Sequence, residues 1–189
     1  MPAPTYLNCN ESQKNQGQKA YNEVRFLLGK ANSAIISLQK YSPGQNYEPK
    51  DIEEADRFFK WFGSINTANL ATVRDRVIYP MVRQLENNSV TIECGGADCE
   101  RRDFAYVTAP GAGLGVGIII NLCEAFFTAP LYGTNSQVGT LLHEISHLVG
   151  NTNDHKYGQS RCLELAKTNP LEAINNADNY EYYLESFHY

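Results

Sequence analysis

Gly139-Thr140-Leu141-Leu142-His143-Glu144-Ile145-Ser146-His147-Leu148-Val149-Gly150 reads as one helix with two dissimilar faces. At about 100° of rotation per residue, His143 and His147 stand about 40° apart and Glu144 lies about 100° from His143. Val138, Leu141, Leu142, Ile145, Leu148 and Val149 fall on the opposite side of the wheel. One face is built to pack, and the other to look into a cleft.

Two imidazoles one helical turn apart can chelate a zinc ion, while the carboxylate beside the first reaches a water instead. His143 and His147 are therefore candidate ligands of one zinc per chain, and Glu144 is the candidate general base. A catalytic zinc takes three protein ligands and keeps one position open, so a third must follow the helix. Asp154 is our choice, with His155, Glu164 and Glu172 as competitors. The metzincin spacing would place a third histidine at position 153. Asn153 stands there instead, and no methionine follows Met81 to form that family's turn.

Outward from this helix the chain divides by pattern. Upstream, Ala20, Val24, Leu27, Leu28, Ala31, Ile35 and Leu38 recur at three and four, which predicts a long amphipathic helix from about Glu11 to Tyr41, ended by Pro43 and Gly44. Further helices are expected over Asp51 to Phe62 and about Ala68 to Leu85, the second kinked at Pro80. Val90 to Cys94, Phe104 to Val107 and Gly117 to Leu122 are short and rich in β-branched and aromatic residues, as strands of a small mixed sheet are. Helical spacing returns around Ser160 to Lys167 and Pro170 to Ala177. The expected fold is α+β over a single domain, residues 1–189: a helical N-terminal half, a small sheet, the His143–His147 helix, and a helical C-terminal part.

The glycines in Gly111-Ala112-Gly113-Leu114-Gly115-Val116-Gly117 lead into a strand, whereas nucleotide-binding loops follow one and open a helix. They suit a flexible loop entering a strand along which a peptide could lie by β-addition. The aromatic tail, Tyr180, Tyr182, Tyr183, Phe187 and Tyr189, is read as cover for the last helix. A formal net charge of −5 over 189 residues, without basic runs, gives no footprint for nucleic acid or an anionic membrane. The longest apolar stretch, Leu114 to Leu122, is about half a membrane span. Five cysteines in a short chain without paired CxxC motifs suit disulfides and an oxidising compartment. The start, Met1 to Thr5, has neither the basic end nor the apolar core of a signal peptide, so the chain is expected to be mature or to use another route.

Taken together, Gly139-Thr140-Leu141-Leu142-His143-Glu144-x-x-His147, Thr152-x-Asp154-x-x-Tyr157-Gly158 and Asn176-Ala177-Asp178-Asn179-Tyr180-Glu181-Tyr182 resemble the aspzincins, the deuterolysin family of metallopeptidases, and most closely their peptidyl-Lys branch. The likeness extends through Trp61-Phe62-Gly63-Ser64, Phe104-Ala105-Tyr106-Val107 and Leu122-Cys123-x-Ala125-Phe126, and so covers nearly the whole chain. It implies a zincin-like fold with zinc on His143, His147 and Asp154, Glu144 as base, and Tyr157 as a donor to the transition-state oxyanion. It implies an acidic S1′ pocket of Asp178 and Glu181, cleavage on the N-terminal side of Lys, and an Asp178→Ala variant that relaxes selectivity without losing metal. It also implies the pairs Cys9–Cys94 and Cys99–Cys123 with Cys162 left over, a local Cys94–Cys99 bridge being the alternative. In one respect the chain departs from the family, with Asn151-Thr152 where the family has Gly-Thr. The expected partners are protein or peptide substrates, met outside the cell by a monomer. A protease delivered into another cell and a non-catalytic zinc-stabilised binding module are the alternatives.

Overall fold

A computed structural model describes residues 3–41, 45–108 and 117–188. Pro43, Gly44, Tyr189 and the glycines from 111 to 115 lie outside the described residues. The chain opens with a short strand, β1 (Thr5–Leu7), and a 29-residue helix, α1 (Glu11–Gln39). Asn10 starts α1 by accepting from Gln13 N at 2.9 Å, while Gln13 Oε1 accepts from Asn10 N at 2.9 Å, a reciprocal cap that satisfies two otherwise orphaned amides. The seven apolar residues of the predicted stripe are all buried.

Helix α2 (Pro49–Phe62) follows, and ends on Gly63 at φ 72°. A β-carbon there would meet the Ala166 carbonyl at 1.7 Å, so glycine serves both the turn and the close approach. The next run is α3 (Thr67–Ala71), a π-helical stretch (Thr72–Ile78) and α4 (Tyr79–Asn87). The bend expected at Pro80 takes this form: Tyr79 N–H reaches back five residues to Arg74 O, loosening the turn just ahead of the proline ring.

Three further strands complete a mixed sheet: β2 (Val90–Cys94), β3 (Ala105–Thr108) and β4 (Ile118–Leu122). Their order is β1-β2-β4-β3, with β1 and β4 parallel to β2 and with β3 antiparallel to β4. This corrects the β-addition reading, because the strand after the glycines, β4, is paired on both sides. Among the described residues the edge strands are β1 and β3. Disulfides Cys9–Cys94 and Cys99–Cys123 tie down one end of the sheet, the first beside β1 and β2 and the second between the β2–β3 loop and the end of β4. Cross-links over 85 and 24 residues each stabilise by roughly 3–5 kcal/mol on the chain-entropy account. Cys162 is free and buried.

After α5 (Glu124–Thr128) comes α6 (Gln137–Gly150), the helix read first from the sequence. Val138, Leu141, Leu142 and Ile145 have no exposed surface, and Leu148 and Val149 are partly buried against the same core. Helices α7 (Gln159–Thr168), α8 (Pro170–Ala173) and α9 (Ala177–Glu185) close the chain. Of the aromatic tail, Phe187 packs against the last helix, its ring centroid 5.2 Å from that of Tyr183. Tyr180, Tyr182 and Tyr183 lie within α9 and point into the core, where Tyr180 and Tyr183 pack their rings on Phe62 at 5.0 Å. One hydrophobic cluster runs from α1 through the sheet and α6 to α9.

Candidate active site

Ser136 caps α6 by accepting from Gly139 N at 2.8 Å, and the helix presents His143, Glu144 and His147 away from its buried face. Each histidine is fixed through Nδ1. That of His143 donates to Asp178 Oδ1 at 2.8 Å, and that of His147 donates to the Thr152 carbonyl at 2.9 Å. Because neither partner can donate in return, both Nε2 atoms are left to face each other, 3.0 Å apart. Asp154 Oδ1 completes a triangle, 3.2 Å from either Nε2.

Two ring nitrogens and a carboxylate oxygen at such separations can share one cation. With bonds of about 2.0–2.1 Å, a tetrahedral zinc has ligand-to-ligand edges of about 3.3 Å, close to the triangle's sides. The donor set of two imidazoles and one carboxylate suits that metal. Of the competitors, His155, Glu164 and Glu172 belong to no metal-capable cluster among the described residues. Asn153 spends its backbone on a bridge to Asn176.

Glu144 lines a cavity of about 250 Å³ together with His143, Tyr157, Asp178 and Glu181, walled on the far side by Arg102 and Asp103 from the disulfide-tied loop. Burial raises the Glu144 carboxyl to about 7; His143 opposes this, and the charges of Asp154, Asp103 and Glu181 add to it. For His143, burial works downward but is overcome by the hydrogen bond to Asp178 and then by the nearby Glu181 carboxylate, which lift the metal-free imidazole to about 10. Desolvation, then the hydrogen bond to Asp154, push the Tyr157 phenol up to about 12, so it stays protonated and able to donate near neutral pH. Its ring lies near-parallel to that of His143, with centroids 6.1 Å apart.

The acidic pair is brought to this cavity but is not equivalent. Asp178 uses one oxygen on His143 and the other to accept Gly158 N at 2.7 Å. Glu181 Oε2 stands 3.7 Å from His143 Nδ1, beyond hydrogen-bond reach, and its Oε1 lies 2.7 Å from where a β-carbon on Gly139 would stand. The hold of Asp178 on His143 was missed from sequence. Its signal was present: a ligating histidine requires an acceptor at its other nitrogen. Asn176 and Asn179, quoted above without a role, form a buried network behind the Asp154 loop.

The family model described as lysine-specific metallo-endopeptidase, that of the aspzincins, matches residues 47–185. A peptidyl-Lys metalloendopeptidase of Pleurotus ostreatus is 34% identical over 185 residues, covering 96% of each chain. An extracellular protease of Aeromonas hydrophila is 34% identical over 75% of this chain, which spans 39% of that protein. Among solved structures, a zinc peptidase from Grifola frondosa superposes with a TM-score of 0.71 at 29% identity, covering 95% of this chain and 98% of the other. With its family model covering more than half its length and these relatives alongside, the chain belongs to the aspzincin family of lysine-specific metallo-endopeptidases.

Proposed function

We propose that this chain acts as a monomeric, single-domain zinc endopeptidase outside the cell, cutting proteins and peptides on the N-terminal side of lysine. The triangle formed by the His143, His147 and Asp154 donors beside the half-buried Glu144 carboxylate carries the reading. When bound there, zinc supplies Lewis acidity to the scissile carbonyl and to water. Glu144 takes the proton of the attacking water and returns it to the leaving amine, a task suited to a carboxyl poised near neutrality. The protonated Tyr157 hydroxyl donates to the oxyanion as it develops. An extended peptide can add to the open edge of β3, whose first residue, Ala105, lines the cavity. The side chain following the scissile bond then enters between walls that include Asp178 and Glu181, where an ammonium relieves the repulsion of two carboxylates. The two disulfides suit an oxidising compartment, which supports an extracellular setting.

Two measurements test this reading together. Glu144→Gln is expected to keep its metal while peptide hydrolysis falls by about 10²–10⁴-fold. Products of a mixed peptide library cut by the wild type should show lysine at the new N-termini. Equal activity in the two proteins would overturn the role of Glu144, and a primed side without cationic preference would overturn the substrate class.

A further inference from the structure

Asp154 and Tyr157 sit on the segment between α6 and α7, which has no regular structure apart from the bridge between Asn153 and Asn176. Asp154 itself is more than a third exposed, so its own contacts do little to fix it. What holds the segment is a side chain some 20 residues further on. Asn176 occupies the N-cap position of α9, where an asparagine ordinarily accepts from the first amides of its own helix, yet it makes no such bond. Its side chain turns outward to the loop.

The Asn176 side chain is fully buried, and all four of its hydrogen-bonding valences are used. Oδ1 accepts from His155 N at 2.8 Å and from Lys156 N at 2.9 Å, the two amides that follow Asp154. Nδ2 donates to Lys156 O at 3.0 Å and to Asn179 Oδ1 at 2.7 Å. Asn179 in turn donates to the Trp61 carbonyl at 2.6 Å, near the end of α2, and to the Cys162 carbonyl at 3.1 Å on α7. On the backbone, Asn153 N donates to Asn175 O at 2.8 Å and Ala177 N donates to Asn153 O at 2.9 Å. The residue bearing the carboxylate is thus clamped on both sides.

We infer that Asn176 is a positioning residue for the metal site, holding Asp154 at the apex of the triangle through the two amides that follow it. The inference rests on Asp154 being the third ligand. Only asparagine and the longer glutamine offer one acceptor for two amides and two donors pointing away from it. Aspartate keeps only the acceptor half, and alanine keeps neither.

The test is zinc affinity of the whole chain, measured by competition with a chromophoric chelator, alongside urea unfolding of the metal-free protein. Asp154→Ala should lose most of its affinity, and Asn176→Ala should lose roughly 10–100-fold, the usual cost of removing a group that supports a ligand. Asn176→Asp, with its acceptor bonds intact, should fall between Asn176→Ala and wild type, and carries the comparison if the alanine variant does not fold. Leu38→Ala, a core truncation on α1, should unfold at lower urea and yet bind zinc as wild type does. Wild-type affinity in the Asn176 variants would overturn the inference, as would a loss in Leu38→Ala that tracks its lower stability. Wild-type affinity in Asp154→Ala would instead overturn the ligand assignment beneath it.

Discussion

The site draws its metal-capable groups from two regions built on different principles. On α6, His143 and His147 are one turn apart on a regular helix, so their separation follows from local backbone hydrogen bonds and a four-residue spacing. In the segment from Asn151 to Gly158, Asp154 and Tyr157 have no such frame, and are placed by side chains from the α9 end of the chain. Position on the helix is local in sequence and that on the loop is not. Damage to the two should therefore look different. A change in α9 leaves the histidine pair spaced as before, yet alters the orientation of one ring and the reach of the loop.

Asp178 sits where the two regions meet, since it accepts from His143 Nδ1 on the helix and from Gly158 N on the loop. Replacing it should therefore do more than the relaxed selectivity that family likeness implies. Asp178→Ala is expected to weaken zinc binding by roughly 10–100-fold, as read by chelator competition. Glu181→Gln keeps shape, removes a charge that lies beyond hydrogen-bond reach of His143, and should leave zinc affinity near wild type. Its effect should appear in the ratio of kcat/KM for lysine over neutral primed-side peptides. If the two variants proved interchangeable in both measurements, the division of labour between the carboxylates would be wrong.

This contrast also governs how much was legible in the sequence. The α6 face and the α1 stripe announce themselves by spacing, because burial of one face imposes a period on neighbouring residues, and strands β2 and β4 by their β-branched composition. The three-residue β1 is too short to show a period, and its membership in the sheet depends on β2, more than 80 residues away. The π-helical stretch before Pro80 leaves no mark beyond the proline itself. At the site, the histidines and Glu144 follow from spacing, Asp154 from the need for a third ligand beyond the helix, where family likeness favours it over its competitors, and Tyr157, Asp178 and Glu181 only through that likeness. The work of Asn176 escaped both, because an asparagine before a helix reads as an ordinary cap until its side chain is seen turned away. The glycines from 111 to 115 fall outside the described residues.

A smaller effect is expected at the start of α6, which is also held from a distance. Buried Glu185 on α9 accepts from the Ser136 hydroxyl and from Gly133 N at 3.3 Å, and Ser136 in turn caps α6. Burial, only partly offset by the Ser136 hydrogen bond, raises the Glu185 carboxyl from 4.5 to about 7. The folded state therefore holds this proton more tightly than the unfolded chain. Its contribution to stability is complete below about pH 4.5 and is lost as pH rises through about 7. Glu185→Gln should remove a decline on the order of 1–3 kcal/mol across that window, read from urea midpoints at several pH values. An unchanged slope in the variant would show that other groups set it.

The smallest effect concerns the joint between the two regions. Asn151 ends α6 at φ 49° and ψ 45°, the left-handed conformation, with its amide bonded to the His147 and Ser146 carbonyls. The family to which the sequence was likened has glycine at this point, a departure that bears on whether the loop follows the same path. Asparagine is among the few residues with a side chain that enter this conformation readily, so the backbone turns as glycine would turn it. Asn151→Gly would relieve the β-carbon penalty but return conformational freedom to the unfolded chain, and these oppose each other. The net change in unfolding free energy should stay within about 0.5 kcal/mol, with zinc affinity unaltered because Thr152 O still receives His147 Nδ1. A marked change in affinity would mean that the Asn151 side chain, and not merely its backbone, takes part in placing Asp154.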